Sequence, residues 1–192
     1  MIRTSCCGAL ALLLALAPLL ALPGTALAAP LSSRQKAIET VGTGVSIALP
    51  VIAAGITLYK HDRKGLFELA AETVLTVGTA YALKNIVRER RPDGSDWQSF
   101  PSDTTALSAS GSTYLWRRYG WEYGLPAFAA SQFVSYSRVQ ADKHHWYDTL
   151  ASSAIAAGYG LIVTDRFRRR TRITTELDPA PDGAVVRFSY NW

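Results

Sequence analysis

Cysteine is almost missing from this sequence. The two that occur, Cys6 and Cys7, both sit ahead of the first long apolar run. The rest of the chain therefore has no disulfide, no thiolate nucleophile and no cysteine-based metal site. Charge is also scarce, at 18% of residues against 48% hydrophobic, which excludes a disordered chain. Acidic residues are the minority, and the formal net charge is +5. That excess suits anionic partners such as phosphate esters or anionic lipid surfaces. No basic-aromatic motif of the kind that reads nucleic acid is present, so no nucleic-acid partner is expected. Internal repeats and low-complexity runs are absent as well.

What is present first is an N-terminal segment, 1–28, with the grammar of a secretory signal. Arg3 supplies a positive start, Ala9 to Leu22 is apolar, Pro23 and Gly24 break the helix, and Ala26-Leu27-Ala28 ends in a small-x-small pattern. Cleavage is expected after Ala28 or Ala29, with an uncleaved membrane anchor as the alternative. The expected location is exported, either periplasmic or membrane-associated, with the functional site facing the periplasm.

Beyond it, residues 29–170 read as a helical domain and 171–192 as a tail of different character. Helices are expected over about 37–59, 66–89, 102–118, 125–138 and from about 142 into the basic run at Arg166. Thr40 to Tyr59 is uncharged and long enough to span a bilayer, but Pro50 is expected to kink or split it. The later helices have shorter uncharged runs. A soluble bundle resting on a membrane surface and a membrane-integrated bundle both stay open. In the tail, Thr171 to Leu177 and Ala184 to Trp192 alternate in polarity around a Pro- and Gly-containing turn, which predicts a small β-hairpin.

Three polar clusters carry chemistry. Lys84 is followed after six residues by Arg91-Pro92, which places two cations at one helix end. Ser99-Phe100-Pro101-Ser102-Asp103-Thr104-Thr105 opens a helix, where free backbone N–H groups and hydroxyls favour an anion. Ser137-Arg138 is followed after five residues by His144 and after three more by Asp148, a spacing that puts the imidazole and the carboxylate on one helix face. Each cluster alone has a plain structural reading: dipole complementation, N-capping and a surface ion pair.

In this order the clusters resemble the signature of the type 2 phosphatidic acid phosphatase and vanadium haloperoxidase superfamily, over about Leu66 to Ile162. The resemblance implies an all-α bundle of about five to six helices with a phosphate pocket at one end, to which the tail adds its small hairpin. It implies that Lys84, Arg91 and Arg138 bind phosphoryl oxygens, that Ser102 and Thr104 add hydroxyl contacts, and that His144 attacks phosphorus to form a phosphohistidine. Asp148 would orient His144. No metal or cofactor is needed, because three cations neutralise the transition state. The implied substrate is a phosphorylated small molecule or a lipid phosphate.

One position departs from the pattern. Where such proteins usually read Pro-Ser-Gly-His, this chain reads Pro101-Ser102-Asp103-Thr104. The histidine that protonates the leaving group is Thr104, which has no acidic proton to give at neutral pH. Asp103 is the candidate replacement acid if burial raises its pKa. His145, or a leaving group that needs no acid, are alternatives, and a phosphate-binding protein without turnover is the other functional reading.

Overall fold

A computed structural model describes residues 30–167, together with the backbone of Arg172–Ala180 and Gly183–Asn191. The expected signal at 1–28 and the basic residues 168–170 lie outside the described residues. Five helices follow one another: α1 (Ser33–Tyr59), α2 (Arg63–Ile86), α3 (Asp103–Tyr119), α4 (Trp121–Gln140) and α5 (Trp146–Val163). Two strands, β1 (Arg172–Ala180) and β2 (Gly183–Asn191), pair antiparallel with Arg172 opposite Asn191. The first strand runs three residues beyond the expected Leu177, through Pro179.

The first two helices start three to four residues before the expected 37 and 66, each at a polar cap. Ser32 and Gln35 form a capping box on α1, Asp62 accepts from the Gly65 N–H at the start of α2, and Ser102 accepts from the Thr105 N–H at the start of α3. Gly120, at φ 94, ends α3 and begins α4, a backbone state that other residues rarely hold. Pro50 does not split the first helix as expected. It lies inside a continuous α1. A proline removes one helical hydrogen bond, and the helix carries on through the loss.

Helix α3 occupies the centre and packs against each of the other four, while α4 and α5 flank it with little mutual contact. The close approaches depend on missing side chains. A Cβ on Gly111 would stand 2.9 Å from the Pro50 nitrogen, and one on Gly42 would overlap the Ser137 side chain. In the first case the neighbour is backbone, which cannot swing aside.

Packing is inverted relative to a water-soluble bundle. The interior holds small and hydroxylated residues such as Ala53, Ala80, Ala106, Ser108, Ser110, Ser131 and Ser152, with Tyr114, Leu115 and Val134 as its larger members. Large apolar side chains point outward instead, including Ile47, Val51, Leu58, Phe67, Val74, Phe128, Leu150 and Ile162. Small residues at helix contacts and an apolar exterior are what a lipid solvent selects. Both α1 and α2 are long and apolar enough to cross a bilayer.

Far from the phosphate-binding residues, the bundle is tied by one buried guanidinium. Arg118 grips Asp62 through two bonds, Nε–Oδ2 at 2.7 Å and Nη2–Oδ1 at 2.6 Å, reaches Glu68 at 3.2 Å, and donates to the Asp165 carbonyl at 2.8 Å. Arg118→Ala would leave the buried Asp62 carboxylate without its cation and Glu68 with Lys64 alone, and is expected to cost about 3–5 kcal/mol. The midpoint of unfolding in detergent checks this. An unchanged midpoint would remove the cluster from the account of stability.

Candidate active site

The other end of the bundle gathers the residues singled out by the sequence. Lys84 comes from the last turn of α2, Arg91 from the loop after it, Ser102 and Asp103 from the start of α3, Arg138 from the last turn of α4, and His144 from the turn before α5. Four separate helix ends converge there because α3 runs antiparallel to α2 and α4, and short turns bring α5 back beside them.

His144 is 1% exposed. It does not lie on a helix with Asp148, as the spacing predicts, because α5 starts only at Trp146 and His145 is its N-cap. Its Nδ1 is 2.7 Å from the Ser99 carbonyl oxygen, which can only accept, so Nδ1 carries the proton. Nε2 is left with its lone pair. The Asp148 carboxylate stands 3.7 Å from Nδ1, too far for a good hydrogen bond. Asp148 Oδ2 instead accepts from the Ser99 hydroxyl at 2.5 Å and from the His145 N–H at 2.8 Å. The orienting role expected of Asp148 is thus divided. Ser99 holds the imidazole, and Asp148 holds Ser99. Sequence reasoning included Ser99 in its second cluster but gave it no role. The group that acts is a backbone carbonyl, and every residue has one.

Burial holds His144 below the ordinary imidazole range, and Arg91 and Lys84 push the same way against the pull of Asp148 and the Ser99 carbonyl. Asp148 stays below the usual carboxylate range. Burial would raise it, but the nearby His144 imidazole and the hydrogen bonds from the Ser99 hydroxyl and the His145 N–H outweigh that. The resting pair is therefore neutral imidazole beside an ionised carboxylate, the state a nitrogen nucleophile needs.

The three cations are individually anchored. Arg91 Nε donates to Asp96 at 2.7 Å and Nη1 to the Lys143 carbonyl at 3.4 Å. Arg138 is buried, with Nη1 at 3.5 Å from Glu39 and 3.4 Å from Thr43, and its Nε has no partner among the described residues. A buried guanidinium with an unused donor is poised for an anion. Lys84 is 5% exposed and its Nζ lies 3.2 Å from Asp103 Oδ1. Asp96, Glu39 and Thr43 were not visible as site residues in the sequence, since Asp96 lies in the loop outside the three clusters and the other two come from the first turns of α1.

That last contact corrects one expectation. Asp103 is not a carboxylic acid held neutral by burial. Burial pushes its pKa up, but the charge and hydrogen bond of Lys84, with the Thr104 N–H, bring it below the ordinary carboxylate range. At neutral pH it is an anion sitting on Lys84, and it has no proton to give. Thr104 is half-buried beside it, and its N–H donates to the Asp103 carboxylate at 3.1 Å. Ser102 is fully buried and its oxygen caps α3, so its hydroxyl proton stays available to an acceptor. His145 stacks on Tyr147, ring centroids 4.9 Å apart, with Nδ1 3.4 Å from Asp148 and 3.7 Å from Glu89. Glu89, His145 and Asp148 bring three ligand atoms within 4.8 Å, though Glu89 already accepts from the Tyr147 hydroxyl and Asp148 from Ser99.

The profile of the PAP2 superfamily matches residues 65–172. The chain belongs to this superfamily. Among individual PAP2 relatives, the chain is 28% identical over 178 residues to the lipid A 4′-phosphatase of Helicobacter pylori strain J99, covering 85% of this chain and 89% of that protein. The crystal structure of Aquifex aeolicus LpxE superposes with a TM-score of 0.51 at 18% identity, over 68% of this chain and 92% of that one. At that identity the second likeness speaks for the shared PAP2 fold.

Proposed function

We propose that this PAP2 protein hydrolyses a lipid-linked phosphate ester at a membrane, through a phosphohistidine on His144. The observation that carries the reading is a buried, neutral His144, proton-locked at Nδ1 by the Ser99 carbonyl, among Lys84, Arg91 and Arg138. In the first step the Nε2 lone pair bonds to phosphorus while the ester P–O bond breaks and its electrons leave with the ester oxygen, which takes a proton from solvent water. Lys84, Arg91, Arg138 and the Ser102 hydroxyl stabilise the charge on the three equatorial oxygens. In the second step water attacks phosphorus, the P–N bond breaks, and its electrons return to Nε2. Orthophosphate and neutral imidazole result. The lipid direction draws support from the relative named a lipid A 4′-phosphatase and from the outward-facing apolar side chains of the bundle. Phosphate release from a lipid phosphate, an isoprenoid diphosphate and an aryl phosphate tests the reading. Release from none of the three sinks it.

With the helices in lipid, the catalytic end is proposed to face the periplasm. The start of α1 lies at this end, Gln35 donating to the Gln140 carbonyl, and it directly follows the expected secretory segment, which would leave it on the exported side.

The ionised Asp103 favours a second reading, phosphate binding without turnover, because neither Asp103 nor Thr104 has an acidic proton to give the leaving group. Asp103 also competes with the phosphate for Lys84. Asp103→Asn is therefore expected to tighten binding of inorganic phosphate about tenfold, one charge contact worth about 1.4 kcal/mol, and to leave turnover undiminished. Calorimetric titration with phosphate checks the first part. A loss of turnover would reinstate Asp103 as the acid.

The protonation state of His144 gives a further expected outcome. Protonated imidazole has no lone pair, so activity is lost as pH falls through its pKa. Since that pKa is depressed, the acid limb of kcat/KM, corrected for substrate ionisation, is expected to be centred below the ordinary imidazole value of about 6.5. A limb centred above that value in the pH profile would show that His144 rests charged.

A further inference from the structure

Beside the phosphate pocket, a second group of polar side chains comes together. Glu89, His145 and Asp148 bring an imidazole nitrogen and two carboxylate oxygens within 4.8 Å of one another. Glu89 comes from the loop after α2, His145 is the N-cap of α5, and Asp148 lies in the first turn of α5. None of the hydrolytic steps above uses the side chain of Glu89 or of His145.

The spacing within the group is long for hydrogen bonds. His145 Nδ1 is 3.4 Å from Asp148 Oδ2, 3.7 Å from Glu89 Oε1 and 3.4 Å from the Ser99 hydroxyl oxygen. An N–H···O bond closes to about 2.7–3.2 Å, so a proton on Nδ1 would be poorly shared among three oxygens. A small dication fits better, because ligands about 2.0–2.2 Å from a tetrahedral zinc stand about 3.3–3.6 Å apart. A second observation points the same way. Asp148 is fully buried, yet its Oδ1 has no partner among the described residues. A buried anionic oxygen left unpaired is costly unless something meets it.

We infer that Glu89, His145 and Asp148 form a binding site for a zinc-class dication, and that the bound ion inhibits hydrolysis. The bonds these carboxylates already make leave room for it. A carboxylate has about four lone-pair sites. Glu89 uses one on the Tyr147 hydroxyl, and Asp148 uses two on the Ser99 hydroxyl and the His145 N–H. One imidazole with two carboxylates suits zinc better than magnesium or calcium, which take oxygen shells. Glu89 and His145 are partly exposed, so the ion can arrive from solvent. Asp148 couples the site to the nucleophile. As His144 Nε2 bonds to phosphorus, positive charge spreads over the ring, and the Asp148 carboxylate 3.7 Å from Nδ1 stabilises it. A dication on the same carboxylate cancels that stabilisation. It also draws Asp148 away from Ser99, whose carbonyl holds the ring. The inhibition rests on the hydrolytic reading of the pocket, whereas the binding does not.

Calorimetric titration of the intact protein in detergent, without phosphate in the buffer, tests the site with zinc chloride and magnesium chloride. One strong zinc site per chain is expected, with no comparable heat from magnesium. Glu89→Gln and His145→Ala, in protein that keeps the wild-type unfolding midpoint, are each expected to weaken zinc binding by about tenfold or more, the scale on which a changed metal shell acts. The absence of a strong zinc site in wild type, or wild-type affinity in both variants, would overturn the proposal. The second measurement is turnover of p-nitrophenyl phosphate. Zinc is expected to lower kcat by about tenfold or more, the scale of one lost charge contact, and EDTA is expected to restore it. Glu89→Gln is expected to keep the metal-free rate and to resist zinc. Inhibition of equal strength in Glu89→Gln would put the inhibitory ion elsewhere and overturn the coupling to His144. If no phosphate ester turns over, the hydrolytic reading falls by itself, and the calorimetric comparison alone decides the metal site.

Discussion

His144→Ala is expected to reduce phosphate release by about a thousandfold or more, the scale on which losing a covalent nucleophile acts. The expected mechanism leaves a second trace. Wild-type protein quenched during turnover should carry phosphate on histidine, a linkage that acid destroys and base preserves, and His144→Ala should carry none. The variant should still bind inorganic phosphate, because Lys84, Arg91 and Arg138 are anchored by Asp103, Asp96, Lys143, Glu39 and Thr43 rather than by the imidazole. Full activity in His144→Ala would remove the phosphohistidine route outright. Loss of phosphate binding together with activity would instead mean that the fold of the pocket had failed.

Thr104→His is expected to change the rate in the opposite direction. The position follows Asp103 on the first turn of α3, half-buried at the mouth of the pocket. A general acid there is worth about 10²–10⁴ in rate when the leaving group is a poor one. The gain should therefore be large for an alkyl phosphate and small for an aryl phosphate, whose leaving oxygen departs without help. A gain of the same size on both would mean that the new imidazole binds substrate rather than protonating it. No gain on either, in a variant that keeps its unfolding midpoint, would mean that proton supply does not limit the reaction. The ionised Asp103 beside the new histidine would raise its pKa and keep it protonated, which favours the acid role.

The legibility of this protein follows the range of each interaction. Helix starts rest on contacts three residues apart, and the cap at Ser102 was readable from the chain itself, whereas starts expected near 37 and 66 missed the caps at Ser32 and Asp62. The cations and His144 were readable because their spacing forms a pattern that chance seldom supplies. Pro50 misled because its cost is local, whereas the helix around it is held by packing against Gly111 on α3. The pairing of His144 with Ser99 spans 45 residues and uses a backbone atom, so no side-chain pattern announces it. Asp103 misled in a related way. Burial alone argues for a raised pKa, and only the position of Lys84, on another helix, reverses the sign. The membrane question stayed open in the sequence because runs of uncharged residues do not say which way they face. The structure turns the small residues inward and the large apolar ones outward.

The Arg118 cluster bears on motion as well as on stability. It joins the start of α2 to the end of α3 and to the chain after α5, with two of its three acidic or carbonyl partners buried. The catalytic end is tied by a separate set of bonds, from Ser99 and His145 to Asp148 and from Lys84, Arg91 and Arg138 to their carboxylates. The two ends can therefore loosen independently: Arg118→Ala is expected to speed hydrogen exchange at the start of α2 and the end of α3 while phosphate binding at the other end is kept.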